Sequence, residues 1–339
     1  MSYKKETLLK KESQVQEILK SMPPFVKKYL EYIHLSTSSS TRLEYVRDIS
    51  LFIEYIADGE GKSPDEVTLE TMDSLSADYI NGYLNYISMY EKNGKTVSNE
   101  NVSIRRKLSS IRGLYNYLFE QDMIVHNPVV KIKRPKVAKK EVIRMDNQET
   151  KQFIETVKYG EGLSEKEQAY FDKYGYRDYT LLSLMLGTGI RVSEAVGLDI
   201  SDVDMKNKRI RVIRKGGKEE IVYFSDDVAE IMQDYITRYR NRIEAVPGSE
   251  NALFLSIQRK RISTRGIEYM VKKYVGHTEL IKHITPHKLR STFGTKLYEE
   301  TGDLYLVATV LGHESVDTSR IYVTQSDKRK SNNRNKVKW

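Results

Sequence analysis

Residues 208–224 read KRIRVIRKGGKEEIVYF, and they interrupt a chain whose other periodicities are helical. Two runs rich in β-branched residues flank Lys215-Gly216-Gly217-Lys218. A Gly-Gly pair between such runs marks a hairpin, because both central turn residues can take positive φ. Downstream of Asn127 the remaining stretches keep helical spacing. The second half is therefore expected to be mainly helical with a small antiparallel sheet, and the chain as a whole to be mainly α.

Working back towards the start, residues 41–57, TRLEYVRDISLFIEYIA, open with Thr41-x-x-Glu44, the pattern of a capping box, and place Val46, Ile49, Ile53 and Ile56 at helical spacing. Residues 98–121 repeat the pattern with Ile104, Leu108, Ile111, Leu114 and Leu118. The first half thus reads as a small helical bundle. Arg105, Arg106, Lys107 and Arg112 lie off the second apolar stripe, where they either meet phosphates or stay solvated. Between the halves, residues 127–140, NPVVKIKRPKVAKK, carry six basic residues, no acidic one and two of the seven prolines. That composition suits an extended basic linker, with Lys131, Lys133 and Arg134 as further candidate phosphate contacts. The expected division is an extension over 1–22, a helical domain over 23–126, a linker over 127–141, a second domain over 142–324 and a tail over 325–339.

A chain of 339 residues is long enough for two cores, and its formal charge of +9 favours a polyanionic partner. Zero cysteines exclude disulfides, thiolate metal sites and cysteine nucleophiles, and the six histidines show no HExxH-type spacing. No metal and no cofactor are expected. The sequence has no apolar run long enough for a bilayer and no signal-peptide pattern, so no membrane association is expected and the cytoplasm is the expected location. The last residues, VTQSDKRKSNNRNKVKW, hold six basic residues against one aspartate.

Three stretches of the second half carry candidate chemistry. In ITPHKLRSTFGTKLY (284–298), Thr285 can cap a helix that Pro286 starts, and His287 and Arg290 stand on one face of its opening turns, at the positive helix end. In LLSLMLGTGIRVSEAVGL (181–198) an apolar helix is expected to break at Gly187 and Gly189, with Arg191 opening a new helix and Glu194 one turn on. The pair is either an ordinary surface ion pair or a guanidinium delivered into a cleft with Glu194 fixing its orientation. In LGHESVDTSRIYVT (311–324), His313 precedes Tyr322 by nine residues. Tyr322 either packs a core or acts chemically.

Taken together, an arginine in GTGIRVSE, a lysine in RKGGKEE, HKLR, LGH and a final tyrosine resemble, in order, the tyrosine site-specific recombinases of the phage-integrase family. The compact layout is most similar to the bacterial Xer recombinases. Departures are the N-terminal extension, the insert KYGEGLSEKEQAYFDKYG (158–175) and the asparagine-rich basic tail. The resemblance implies that residues 23–126 form a SAM-like core-binding domain and that 142–324 form the catalytic domain. It implies that Tyr322 attacks a DNA phosphodiester to leave a 3′-phosphotyrosyl link, and that Arg191 and Arg290 clamp the phosphate with His313. His287 would assist as acid, base or hydrogen-bond partner, and Lys215, with Lys218 as the alternative, would protonate the departing oxygen. It further implies double-stranded DNA as partner, a homotetramer on two sites exchanging strands through a Holliday junction, and a tail that packs on the neighbouring protomer. Chromosome-dimer resolution near the nucleoid, with a cell-division DNA translocase as activator, is the implied role. Alternatives are a mobile-element integrase, a type IB topoisomerase or a non-catalytic DNA-binding protein.

Overall fold

A computed structural model describes residues 3–92, 94–137, 143–214, 217–278, 280, 282–313 and 315–322. Lys215, the end of the expected linker (138–141) and the tail lie outside the described residues. The chain divides into two units, residues 1–139 and 140–339, each with its own hydrophobic core.

The first unit contains α1 (Tyr3–Leu19), α2 (Pro24–Tyr32), α3 (Ser39–Glu60), α4 (Leu69–Ser74), α5 (Ala77–Ser88), β1 (Met89–Lys92), β2 (Lys95–Ser98) and α6 (Asn101–Glu120). The apolar stripes of α3 and α6 face inward as their spacing predicts: Val46, Ile49, Ile53, Ile56, Leu108, Ile111, Leu114 and Leu118 are all buried. The start of α3 differs from expectation. Ser38, not Thr41, is the N-cap, and its hydroxyl accepts from the Thr41 amide at 3.2 Å. Serine serves this role as well as threonine, and capping from Ser38 adds a turn of helix. Glu44 pairs instead with Arg47 and Arg106.

Three further features depart from the sequence reading. A second hairpin, β1 with β2 in antiparallel register, sits in this unit around Gly94, whose φ is 69°. Its Asn93-Gly94 dipeptide is among the strongest short hairpin signals. Second, α1 is no loose extension. Val15, Leu19 and Met22 are buried in the unit's core, Glu12 pairs with Arg42 near the start of α3, and Lys11 donates to Ser40. Third, the region read as a linker begins as a 3-10 turn (Pro128–Lys131). Val129 and Ile132 are three residues apart, and both are buried in the same core. Proline at the first turn position costs no hydrogen bond there, so the segment docks rather than extends.

The second unit contains α7 (Asn147–Tyr159), α8 (Glu165–Thr188), α9 (Val192–Gly197), β3 (Val203–Asp204), β4 (Arg209–Ile213), β5 (Glu219–Tyr223), α10 (Asp226–Asp234), α11 (Thr264–Val275), α12 (Pro286–Thr301) and α13 (Leu304–Leu311). A 3-10 segment over Val316–Tyr322 follows. The expected hairpin is present: β4 pairs antiparallel with β5, β3 adds a short third strand, and the Arg214 amide extends the ladder to the Lys218 carbonyl at 2.8 Å. Ile210, Val212 and Val222 are turned to the core. The insert 158–175 spans the end of α7, a short connection and the first turns of α8, which a Ser164–Glu167 capping box starts. Buried Asp178 fixes α8 to α11 by accepting from the Tyr274 hydroxyl at 3.0 Å and from Lys273 at 3.3 Å.

Candidate active site

α8 ends in the left-handed residue Gly189, φ 65°, and runs through Gly187 without a break. The reversal at Gly189 admits no side chain, since an added Cβ would lie 2.4 Å from Phe293 and 2.8 Å from Leu311. This turn delivers Arg191 to the N-cap of α9. Its backbone N–H donates to Glu194 Oε2 at 2.9 Å and its Nη1 to Oε1 at 2.8 Å, while Nη2 reaches the Gly312 carbonyl at 3.2 Å. Glu194 is buried, so the pair is not the exposed surface pair that the sequence also allowed.

α12 starts with Thr285 at its N-cap and Pro286 at its first position, and it buries Arg290. The Arg290 guanidinium donates to the carbonyl of Gly189 at 2.6 Å and to that of Leu311. Burial and the neighbouring Arg191 push its pKa down to about 10, which leaves it charged at neutral pH. α13 closes at Gly312, φ 60°, with the His313 amide bonded back to the Ala308 carbonyl at 2.9 Å. The imidazole Nδ1 is 2.7 Å from the Ser319 hydroxyl. Desolvation and the charges of Arg290, Arg191 and Arg214 lower its pKa to about 4, so it is neutral at pH 7. His287, exposed on the first turn of α12, is held below its ordinary pKa by desolvation, Lys288, Arg290 and Arg191.

Tyr322 is 2% exposed. It packs with Val307 and Leu311, and its ring lies against Gly294, where an added Cβ would come within 2.9 Å of Cζ. The ring stacks nearly parallel to His313, centroids 6.3 Å apart. Burial raises its pKa against the pull of Arg290, Arg191 and a hydrogen bond with Ser291. The structure therefore brings Arg191, Glu194, His287, Arg290, His313 and Tyr322 into one site. Among the described residues no three His, Asp or Glu side chains form a metal-binding group.

These motifs fall within a sequence family. The model of the phage integrase family matches residues 143–329, more than half of the chain, and that of the phage integrase N-terminal SAM-like domain matches residues 26–122. The chain belongs to the phage integrase family. Tyrosine recombinase XerC of Caldanaerobacter subterraneus subsp. tengcongensis is 29% identical over 343 residues, covering 97% of this chain and 91% of that protein. Tyrosine recombinase XerS of Streptococcus mutans is 30% identical over 346 residues, covering 94% and 96%. Among solved structures, XerH site-specific recombinase bound to difH substrate superposes with a TM-score of 0.63 over 91% of this chain and 93% of that one, at 18% identity, a likeness of fold. This phage integrase family member is a tyrosine site-specific recombinase, as the order of its motifs implies.

Other parts of this recombinase stand differently from their sequence reading. Arg106 makes a two-pronged bond to buried Asp48 at 2.8 and 2.9 Å, and Lys107 joins it at 3.3 Å. Arg112 donates to the Val129 and Ile132 carbonyls at 3.3 and 3.1 Å. These three bond within the first unit, Arg106 with its side chain still 45% exposed, while Arg105, Lys131, Lys133 and Arg134 are exposed. Three residues escaped the sequence reading: Ser291 and Ser319, which bond Tyr322 and His313, and Arg214, buried behind Glu194. Serines carry no pattern that would mark them. Arg214 did carry one, since strand alternation places it on the same face as Ile210 and Val212.

Proposed function

We propose that this recombinase cuts and rejoins duplex DNA at a specific site with Tyr322 as nucleophile, and that it resolves chromosome dimers as an Xer-type enzyme of the cytoplasm, close to the nucleoid. The observation that carries the catalytic reading is the convergence of two guanidinium groups and a neutral imidazole beside the Tyr322 ring. The phenol oxygen bonds to phosphorus and the bond to the 5′-oxygen breaks, leaving a 3′-phosphotyrosyl link and a free 5′-hydroxyl. Arg191 and Arg290 take the nonbridging oxygens as charge builds in the pentavalent transition state. With Ser319 donating to Nδ1, His313 keeps its proton on Nε2 and donates it in a hydrogen bond to the phosphate. His287 accepts the phenol proton, and Lys215 supplies one to the leaving oxygen. The energy of the broken diester stays in the phosphotyrosyl bond, so no ATP is needed, and the two arginines and two histidines supply the charge stabilisation without a metal.

Attack requires the Val316–Tyr322 segment to lift the ring out of its seat against Gly294. The first unit grips the duplex through Arg105, Lys131, Lys133 and Arg134. Four protomers on two sites exchange strands through a Holliday junction, the tail docks on a neighbour, and a DNA translocase activates the assembly. The relatives named XerC and XerS support this role.

The test is covalent trapping. Full-length protein is incubated in EDTA with a library of duplexes, the mixture is denatured, and the protein-linked DNA is sequenced. The native protein should yield one recurrent site, and Tyr322→Phe should bind that duplex without forming an adduct. A denaturation-resistant adduct from the Phe variant would remove Tyr322 from the role. A trapped site at one chromosomal locus supports dimer resolution; trapped sites at the ends of a mobile element overturn it.

A further inference from the structure

Arg214 follows β4 and immediately precedes Lys215. Strand alternation turns it inward, and it is 7% exposed. Its Nη1 donates to both Glu194 oxygens at 3.3 Å and to the Leu311 carbonyl at 2.9 Å. Nη2 donates to Glu220 Oε1 at 3.1 Å and to the Val310 carbonyl at 3.2 Å, and Nε to Glu220 Oε2 at 3.1 Å. One side chain thus joins the carboxylate that orients Arg191, the facing strand β5, and the last turn of α13, which leads directly into His313. Gly312 lies flat on it, because a Cβ there would fall 2.7 Å from the guanidinium carbon.

We propose that Arg214 is a positioning residue for strand cleavage: it holds Glu194 against Arg191 and the end of α13 beneath His313, fixing the distance between the arginine clamp and the histidine. The inference rests on the reading of Arg191 and His313 as phosphate-binding groups. Arginine is required because its planar fork presents donors in several directions at once, whereas a lysine ammonium is a single point. Without it Glu194 keeps a cationic partner in Arg191 but loses the brace on its other side, and Glu220 is partly exposed, so neither carboxylate is left both buried and uncompensated.

The duplex recovered by trapping, nicked beside the cleaved phosphate, is the probe. Single-turnover cleavage and half-site binding are measured for the full-length wild type, Arg214→Met, Arg214→Lys, Glu220→Gln and Tyr322→Phe. A displacement on the order of 1 Å in a positioned group costs about a hundredfold in rate, so Arg214→Met should lose about that much in cleavage while binding the half-site within about threefold of wild type. Arg214→Lys and Glu220→Gln should fall between. NMR titration of His313, which faces Arg290, Arg191, Arg214, His287 and the Ser319 hydroxyl, should show its pKa rising in Arg214→Met as one of these cations is lost. Cleavage by Arg214→Met within about twofold of wild type, or a loss matching its loss of binding, overturns the proposal. If that variant does not fold, Arg214→Lys carries the test, and wild-type cleavage by it is equally fatal. An adduct from Tyr322→Phe in the same series would sink the site reading itself; normal controls with a fully active Arg214→Met sink the positioning role alone.

Discussion

His313 and Tyr322 are both displaced from their ordinary pKa values towards the neutral form, the histidine downward and the phenol upward. For His313 the sign of the stability effect follows from linkage. The unfolded imidazole binds a proton near pH 6.5 and the folded one only near pH 4, so its contribution is complete above pH 6.5 and is lost as pH falls towards 4. The melting temperature of wild type minus that of His313→Gln should therefore shrink across this window. A constant difference would mean that the ring is not held neutral. Gly189 gives a second prediction. An alanine there costs about 1–2 kcal/mol for left-handed backbone and about 1–3 kcal/mol for crowding Phe293 and Leu311, so Gly189→Ala should melt earlier and cleave poorly, as thermal denaturation and the nicked-duplex assay will report. Arg191, Glu194, His287, Arg290 and His313 each sit in a short motif beside a glycine, proline or helix start, whereas Tyr322 stands out only as the last member of the motif order that carries the family resemblance. Arg214 carries an equally plain signal, a charged side chain at an inward strand position, but it stands in no short motif of its own and directly precedes the more reactive Lys215.

Elements were legible where apolar spacing decides them and less so where a polar side chain does. The stripes of α3 and α6 are plain in the sequence, but the start of α3 is not, because several hydroxyl residues in succession compete to cap it. Prolines suggested an extended linker, while Val129 and Ile132, three apart, were the stronger signal for a docked turn. On α6 the charged face divides in a way that spacing cannot reveal, since Arg106 and Lys107 answer a carboxylate 58 and 59 residues earlier in the chain. Their replacement by alanine leaves buried Asp48 with the Ser110 hydroxyl but without a cation, and should lower stability by up to about 3–5 kcal/mol in denaturant titrations. Replacing Arg105, Lys131, Lys133 and Arg134 should instead leave the melt unchanged and flatten the salt dependence of DNA binding, by about 0.9 in the log–log slope for each phosphate that is no longer neutralised. If both sets flattened the slope alike, the division drawn between them would be wrong.

Across the whole chain, the two cores make each unit a candidate for independent folding. Residues 1–137 expressed alone should melt as one cooperative transition, and a start at Pro23 should remove Val15, Leu19 and Met22 from that core and melt earlier or not cooperatively at all. Cooperative melting at an unchanged temperature in the shorter fragment would show α1 to be an ornament. The two units meet within the basic, proline-bearing stretch that marks a boundary in the sequence, but the burial of Val15, Leu19 and Met22 in a core has no such mark, because α1 is largely polar and buries only a narrow strip.

The guanidinium groups of Arg191, Arg290 and Arg214 each donate to main-chain oxygens, those of Gly189, Val310, Leu311 and Gly312 among them. These acceptors sit at the C-terminal ends of α8 and α13, so the ends of two helices brace the orientation of the guanidinium planes. Each guanidinium has five N–H donors, and the carbonyls leave some of them for a further acceptor.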